Sequence, residues 1–199
     1  MKVLIGTNNK AKVLKYGTIL KELDIEYVTP NDLNLNVKID ENGNTIEENS
    51  IIKAKAYYEK TKMPVIVDDS GLILEGLEKE EQPGVFVRRY TGKELTDEEI
   101  ITIFSKKISK LGGKVKGAFD IAISIADKNG KIFTKTNKHE RLFVSNPCNE
   151  RTIGYPMNSL IYDEKTKKYL AQVYEGKEIY KGNTFEQDFK FIKQVLLGE

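Results

Sequence analysis

Val65-Ile66-Val67-Asp68-Asp69-Ser70-Gly71 is the stretch on which the reading of this chain turns. Three apolar β-branched residues lead into two carboxylates, a hydroxyl and a glycine, the pattern of a buried strand that ends in a polar turn. Adjacent acids repel unless something positive stands nearby, and the carboxyl end of a strand in an α/β sheet is where ligand crevices form. The heptad therefore predicts a strand of an α/β protein with a divalent cation or an ammonium group at its end. Taken alone, Asp-Asp-Ser-Gly also reads as ordinary turn chemistry.

Working back from the heptad, the segment from Thr45 to the residue before Pro64 reads as a helix. Thr45 and Glu48 have the spacing of a capping box, and Ile51, Ile52, Ala54, Ala56 and Tyr57 supply apolar residues. Residues 25–29 alternate as a strand, and residues 30–43 form a polar loop. At the start, Val3-Leu4-Ile5 is a short apolar run, Gly6-Thr7-Asn8-Asn9 a polar turn, and 10–23 a helix. That turn lies where backbone N–H groups and the helix dipole favour an anion, and Lys10 and Lys12 add charge. It lacks the glycine spacing of a Walker loop. A helix cap with solvated lysines is the competing reading.

Beyond the heptad, Thr96-Asp97-Glu98-Glu99 opens a helix that runs to about Leu111 and stops at Gly112-Gly113. Two β-rich stretches, 115–126 and 131–144, flank Asn129-Gly130, a hairpin signal. Strands are expected at 159–162 and near 169–174, followed by a last helix capped by Thr184. The alternation of β and α elements predicts a mixed α/β fold around one long central sheet, with two lobes and a cleft between them, in a single domain over 1–199.

Composition narrows the function classes. Among 199 residues, 32 Lys and Arg nearly cancel 30 Asp and Glu, and the positive charge is spread along the chain, so a nucleic-acid partner is not expected. No apolar stretch approaches the ~20 residues of a membrane span, which reads as a soluble, cytoplasmic protein with no membrane partner. The one cysteine, Cys148, and one histidine, His139, exclude an internal disulfide and a His/Cys zinc cluster. Any metal must be held by carboxylates, which suits Mg2+ or Mn2+. His139 reads as a surface strand residue.

Three motifs in order, Thr7-x-Asn9-x-x-Lys12, then Glu41-x-Gly43-x-Thr45-x-x-Glu48-Asn49-x-x-x-Lys53-Ala54, then Asp68-Asp69-Ser70-Gly71-Leu72, resemble the inosine triphosphate pyrophosphatase family. Pro83-Gly84-Val85 with Arg89-Tyr90-Thr91-Gly92 extends the resemblance. It implies an elongated α/β fold, a homodimer, and a cleft that binds a nucleoside triphosphate with Mg2+, releasing pyrophosphate and leaving the monophosphate. Carried over, it implies that Thr7, Asn8, Asn9, Lys12 and Lys53 hold phosphates and that Ser70 contacts substrate. Glu41, Glu48 and Asp69 would serve the metal. Asp69 would activate the attacking water, supported by Asp68 from behind.

The family pattern breaks where the base should be read. The family's Gly-Phe-Gly-Tyr-Asp-Pro stands here as Thr152-Ile153-Gly154-Tyr155-Pro156-Met157, without the aspartate. Its Lys followed by Ser-His-Arg is met only by Lys177, since no histidine or arginine follows Arg151. Gly154, Tyr155, Lys177 and Asn183, with Asn158, are the candidate base-side residues, although asparagines in loops are common. A purine triphosphate such as (d)ITP or XTP is the expected substrate. A nucleotide sensor that signals to an effector protein is the alternative expectation.

Overall fold

The computed structural model describes residues 1–173 and 183–199. The strands are β1 (Lys2–Ile5), β2 (Glu26–Val28), β3 (Val65–Leu74), β4 (Lys114–Ala126), β5 (Ile132–Val144), β6 (Ile161–Asp163) and β7 (Lys168–Tyr169). The helices are α1 (Lys10–Glu22), α2 (Ile46–Thr61), α3 (Asp97–Lys110), α4 (Leu170–Val173) and α5 (Asn183–Leu197). Seven strands form one open mixed sheet in the order β2-β1-β3-β4-β5-β6-β7. This is the expected mixed α/β class. Among the described residues, no helix is long and apolar enough to cross a membrane.

The chain divides into two compact units, one built from Met1–Asp69, Ile121–Asn137 and the C-terminal helix, the other from Ser70–Asp120 and the stretch that begins at Lys138. In the first unit β1 pairs in parallel with β2 on one side and with β3 on the other. The chain thus moves one way across the sheet from β1 to β2 and back past β1 to β3. Right-handed crossovers then place α1 and α2 on opposite faces of the sheet. Leu4, Val65 and Val67 pack with Ala54 and Tyr57 of α2. In the second unit Leu72, Leu74 and Phe143 pack against Ile100, Phe104 and Ile108 of α3.

Local chemistry explains most of the helix boundaries. Thr45 caps α2 by accepting the Glu48 amide, and Lys62 ends the helix in the left-handed conformation. Thr96 and Glu99 form the full capping box of α3. Asp127 Oδ1 accepts the amides of Asn129 and Lys131, closing the turn between β4 and β5 around Gly130, whose φ is +80°.

Three expectations need correction. Asp68-Asp69-Ser70-Gly71 is not a turn, because β3 continues through it to Leu74 and keeps a neighbour in β4 after β1 has ended. The expected strand near 169–174 is only Lys168–Tyr169, and Leu170–Val173 is a helical turn instead. There the Gln172 side chain accepts the Tyr169 amide and Ala171 is buried. The last helix starts at Asn183, one residue before the position expected for its cap.

Candidate functional site

The site grows from the end of β1. β1 stops at Ile5, opposite Ile66, while β3 runs on. Beside Asp68 the chain turns away through Gly6, Thr7 and Asn8 into α1. The strand order reverses here, with β2 on one side of β1 and β3 on the other, and such a topological switch point leaves a crevice at the carboxyl ends of the strands. A cavity of ≈ 270 Å³ opens there, lined by Gly6, Thr7, Asn8, Lys12, Val37, Ile39, Glu41, Lys53, Tyr57 and Asp68. Gly6 is required by close packing: a Cβ on it would lie 2.6 Å from Val67 Cγ1 and 2.7 Å from the Tyr57 ring.

Because side chains alternate along a strand, Asp68 and Asp69 face opposite ways. Asp69 shares the α2 face with Val65 and Val67; its Oδ1 receives Lys53 Nζ at 2.9 Å. The same ammonium lies 3.2 Å from Glu41. Asp68 faces α1, with Lys12 Nζ at 2.6 Å from Oδ1 and the Tyr16 hydroxyl donating to Oδ2 at 2.9 Å. Asp68 therefore holds Lys12. The ammonium partners expected for this acid pair are two separate lysines, one from each flanking helix.

The two carboxyls titrate differently. Burial raises the pKa of Asp69, and Lys53 only partly opposes it, so this carboxyl stays above the usual range. Burial also acts on Asp68, but the charges of Lys12 and Lys15 outweigh it and hold that carboxyl below its usual value. For Lys53, burial disfavours the charge, while Asp69 and Glu41 more than restore it, and its pKa is raised. Asp69 Oδ2 is buried and has no hydrogen-bond partner among the described residues.

Asn9 is the cap of α1: its Oδ1 accepts the amides of Ala11 and Lys12, and the Thr7 hydroxyl accepts the Asn9 amide. These amides already have side-chain acceptors, so the positive character of the pocket rests on the two lysines. Ser70 follows Asp69 on β3 and is half-buried. Glu48 is exposed, and its carboxylate accepts the Asn44 amide at 2.6 Å. The expected metal trio is thus not a preformed cluster: Lys53 joins Glu41 to Asp69, Glu48 serves the entry to α2, and among the described residues no group of three His, Cys, Asp or Glu side chains is arranged to hold a metal.

Gly154 and Tyr155 lie in the second unit, just before a short 3-10 turn at Pro156–Ser159. Gly154 has φ +86°, and its amide donates to Asp97 Oδ2 at 2.9 Å, while Asp97 Oδ1 is held by Arg88 at 2.8 Å. Asp97, read from sequence only as a helix-start acid, thus anchors this loop; its signal was hidden by that ordinary role. Asn158 is buried. Lys177 lies outside the described residues, as does the side chain of Asn183. His139 is half-buried on β5, and Cys148 is a free thiol whose pKa burial pushes up.

Sheet order, switch point and paired charges define the class: an open-sheeted α/β protein with a charged pocket at the carboxyl end of its first strand. A model of the Ham1 family matches residues 3–178, and the chain belongs to that family. It is 32% identical over 178 residues to a dITP/XTP pyrophosphatase of Thermoanaerobacter pseudethanolicus, covering 87% of this chain and 85% of that protein. A dITP/XTP pyrophosphatase of Leptospira interrogans is 39% identical over 125 residues, a match that spans 63% of this chain and 62% of the relative's length. The fold matches the Ham1 protein of Staphylococcus aureus with a TM-score of 0.75 at 24% identity, covering 97% of this chain and 98% of that one. A HAM1 protein from Coxiella burnetii gives a TM-score of 0.76 at 23% identity, with 98% and 99% covered.

Proposed function

We propose that this chain is a magnesium-dependent nucleoside triphosphate pyrophosphatase that hydrolyses a non-standard purine triphosphate such as dITP or XTP to the monophosphate and pyrophosphate. The observation that carries the reading is the Asp69 carboxylate beside Lys53: buried, raised in pKa, and with one oxygen free of hydrogen bonds. Relatives that bear the name dITP/XTP pyrophosphatase support the substrate class.

In this reading Lys12 and Lys53 turn from their carboxylates toward the triphosphate, and Thr7, Asn8 and Asn9 line its path. Asp69 Oδ2 orients a water and takes its proton as the new O–P bond forms at the α-phosphorus. The bond from that phosphorus to the bridging oxygen breaks, and pyrophosphate leaves. A buried carboxyl with raised pKa is a better proton acceptor than an exposed one.

Magnesium fits this donor set. It is usually held by one or two carboxylates together with substrate phosphates, not by an all-protein cage. Glu41 and Asp69 are the carboxylates at hand, with Glu48 within the same segment as a further donor, and manganese would meet the same oxygens. The metal would supply neutralisation of phosphate charge. The homodimer expected from the resemblance belongs to the same reading.

A screen of nucleoside triphosphates with magnesium, following pyrophosphate release and nucleotide binding together, tests it. Release of pyrophosphate from a purine triphosphate is the expected result. Because the base-reading motif departs at Thr152–Met157, tight binding of one nucleotide with no turnover would favour the sensor reading and overturn the enzyme.

A further inference from the structure

Asp188 is fully buried in α5, far in sequence from every motif of the pocket. Its carboxylate lies 2.7 Å from Lys15 Nζ and accepts from Asn137 Nδ2 at 2.9 Å. Lys15 is itself largely buried, and its ammonium lies 5.0 Å from the ring centre of Tyr16. The Tyr16 hydroxyl bonds Asp68, and Asp68 holds Lys12. A column of contacts thus runs from α5 to the pocket wall: Asp188 to Lys15, Lys15 to the Tyr16 ring, the Tyr16 hydroxyl to Asp68, and Asp68 to Lys12.

The charges along this column alternate. Asp68 is one carboxylate that pairs with Lys12 and has its hydroxyl donor, Tyr16, beside Lys15, so that the charges of both lysines act on it. Asp188 supplies the second carboxylate, so that Lys15 has its own partner and Asp68 is left to Lys12. A buried ammonium that loses its partner must find another acid or be desolvated at high cost. Asp68, reached through the Tyr16 ring and hydroxyl, is an acid on which the Lys15 charge already acts.

We propose that Asp188 is a positioning residue for the phosphate pocket: by retaining Lys15 it keeps Asp68 committed to Lys12 and sets the reach of the Lys12 ammonium. The inference rests on the phosphate-binding reading of Lys12, and it links the C-terminal helix to the pocket through charge rather than through packing alone. Asn137 on β5 is the second support of the same carboxylate.

The test uses two readouts. The first is the rate at which Lys12 is acylated by an amine-reactive ester, read by mass spectrometry, which needs no substrate. The second is the affinity for inorganic tripolyphosphate with magnesium. Asp188→Asn should speed Lys12 acylation, because Lys12 loses part of its ion pair with Asp68, and weaken tripolyphosphate binding, each by about tenfold, and the double variant Lys15→Met/Asp188→Asn should recover most of both. An unaltered Lys12 rate in Asp188→Asn, or a double variant as impaired as the single, would overturn the proposal. Should Asp188→Asn not fold, Asn137→Ala should give the same direction at about threefold, and no change there would overturn the proposal equally. If the wild-type protein bound no polyphosphate, the phosphate-site reading would fall, while the acylation rates would still decide the column.

Discussion

Asp68 and Asp69 share a peptide bond but not a partner: the first is held by Lys12 and Tyr16 from one face of the sheet, the second by Lys53 from the other. The pair is therefore divided between the two faces, one carboxyl pairing with Lys12 and the other, in the proposed function, serving as the base. Their substitution should have different consequences.

Asp69→Asn should lower turnover by about 10²–10⁴-fold, the range for losing a positioned general base, while nucleotide still binds. Steady-state rates and equilibrium binding on the same preparation check this. Turnover close to wild type would remove Asp69 from the role of base.

Asp68→Asn should chiefly damage the fold. It leaves Lys12 facing a neutral amide in a buried setting, which costs about 3 kcal/mol and, for a chain of this size, about 6–12 °C in Tm. Thermal unfolding of the two variants side by side should rank Asp68→Asn well below Asp69→Asn, and the reverse order would contradict the division of labour.

The pH dependences should also separate. Asp68 is depressed in the folded protein, so its stabilisation is complete above the ordinary value of 3.8 and is lost as pH falls through its lower folded value. Asp69 is raised, so as a base it should lose activity on acidification through a value above 3.8. A pH–rate profile with its acid limb at or below the ordinary carboxylate value, in a protein still folded there, would argue against Asp69.

Gly6→Ala should destabilise by about 1–3 kcal/mol, because the added methyl group meets Val67 and Tyr57 at the mouth of the pocket. Denaturant unfolding reads this directly. A neutral effect would mean that the β1 end can move away from α2, contrary to the packing described.

Much of this arrangement was legible from local chemistry. Thr45, Thr96 and the Asp127–Gly130 turn act on neighbours a few residues away, so their roles can be read in the linear chain. Lys12, Lys53, Glu41 and Asp69 could be gathered by motif order. The heptad itself was misread as a turn because Asp, Ser and Gly disfavour strands locally, whereas the sheet neighbour that holds β3 extended comes from residues some forty positions later. Glu48 was grouped with the metal donors because its position matched, and only the structure shows that one of its oxygens also accepts the Asn44 amide. Asp188 was invisible for the same reason: one acid in an amphipathic helix looks solvated until Lys15 and Asn137 are seen against it.

The proposed hydrolysis is read most directly from the products of a purine triphosphate such as dITP incubated with the wild-type chain and with Asp69→Asn, each with and without magnesium. Monophosphate and pyrophosphate in equal amounts are expected from the wild type with magnesium, and neither from the variant or from the metal-free reaction. Release of diphosphate and single phosphate, or equal product from Asp69→Asn, would contradict it.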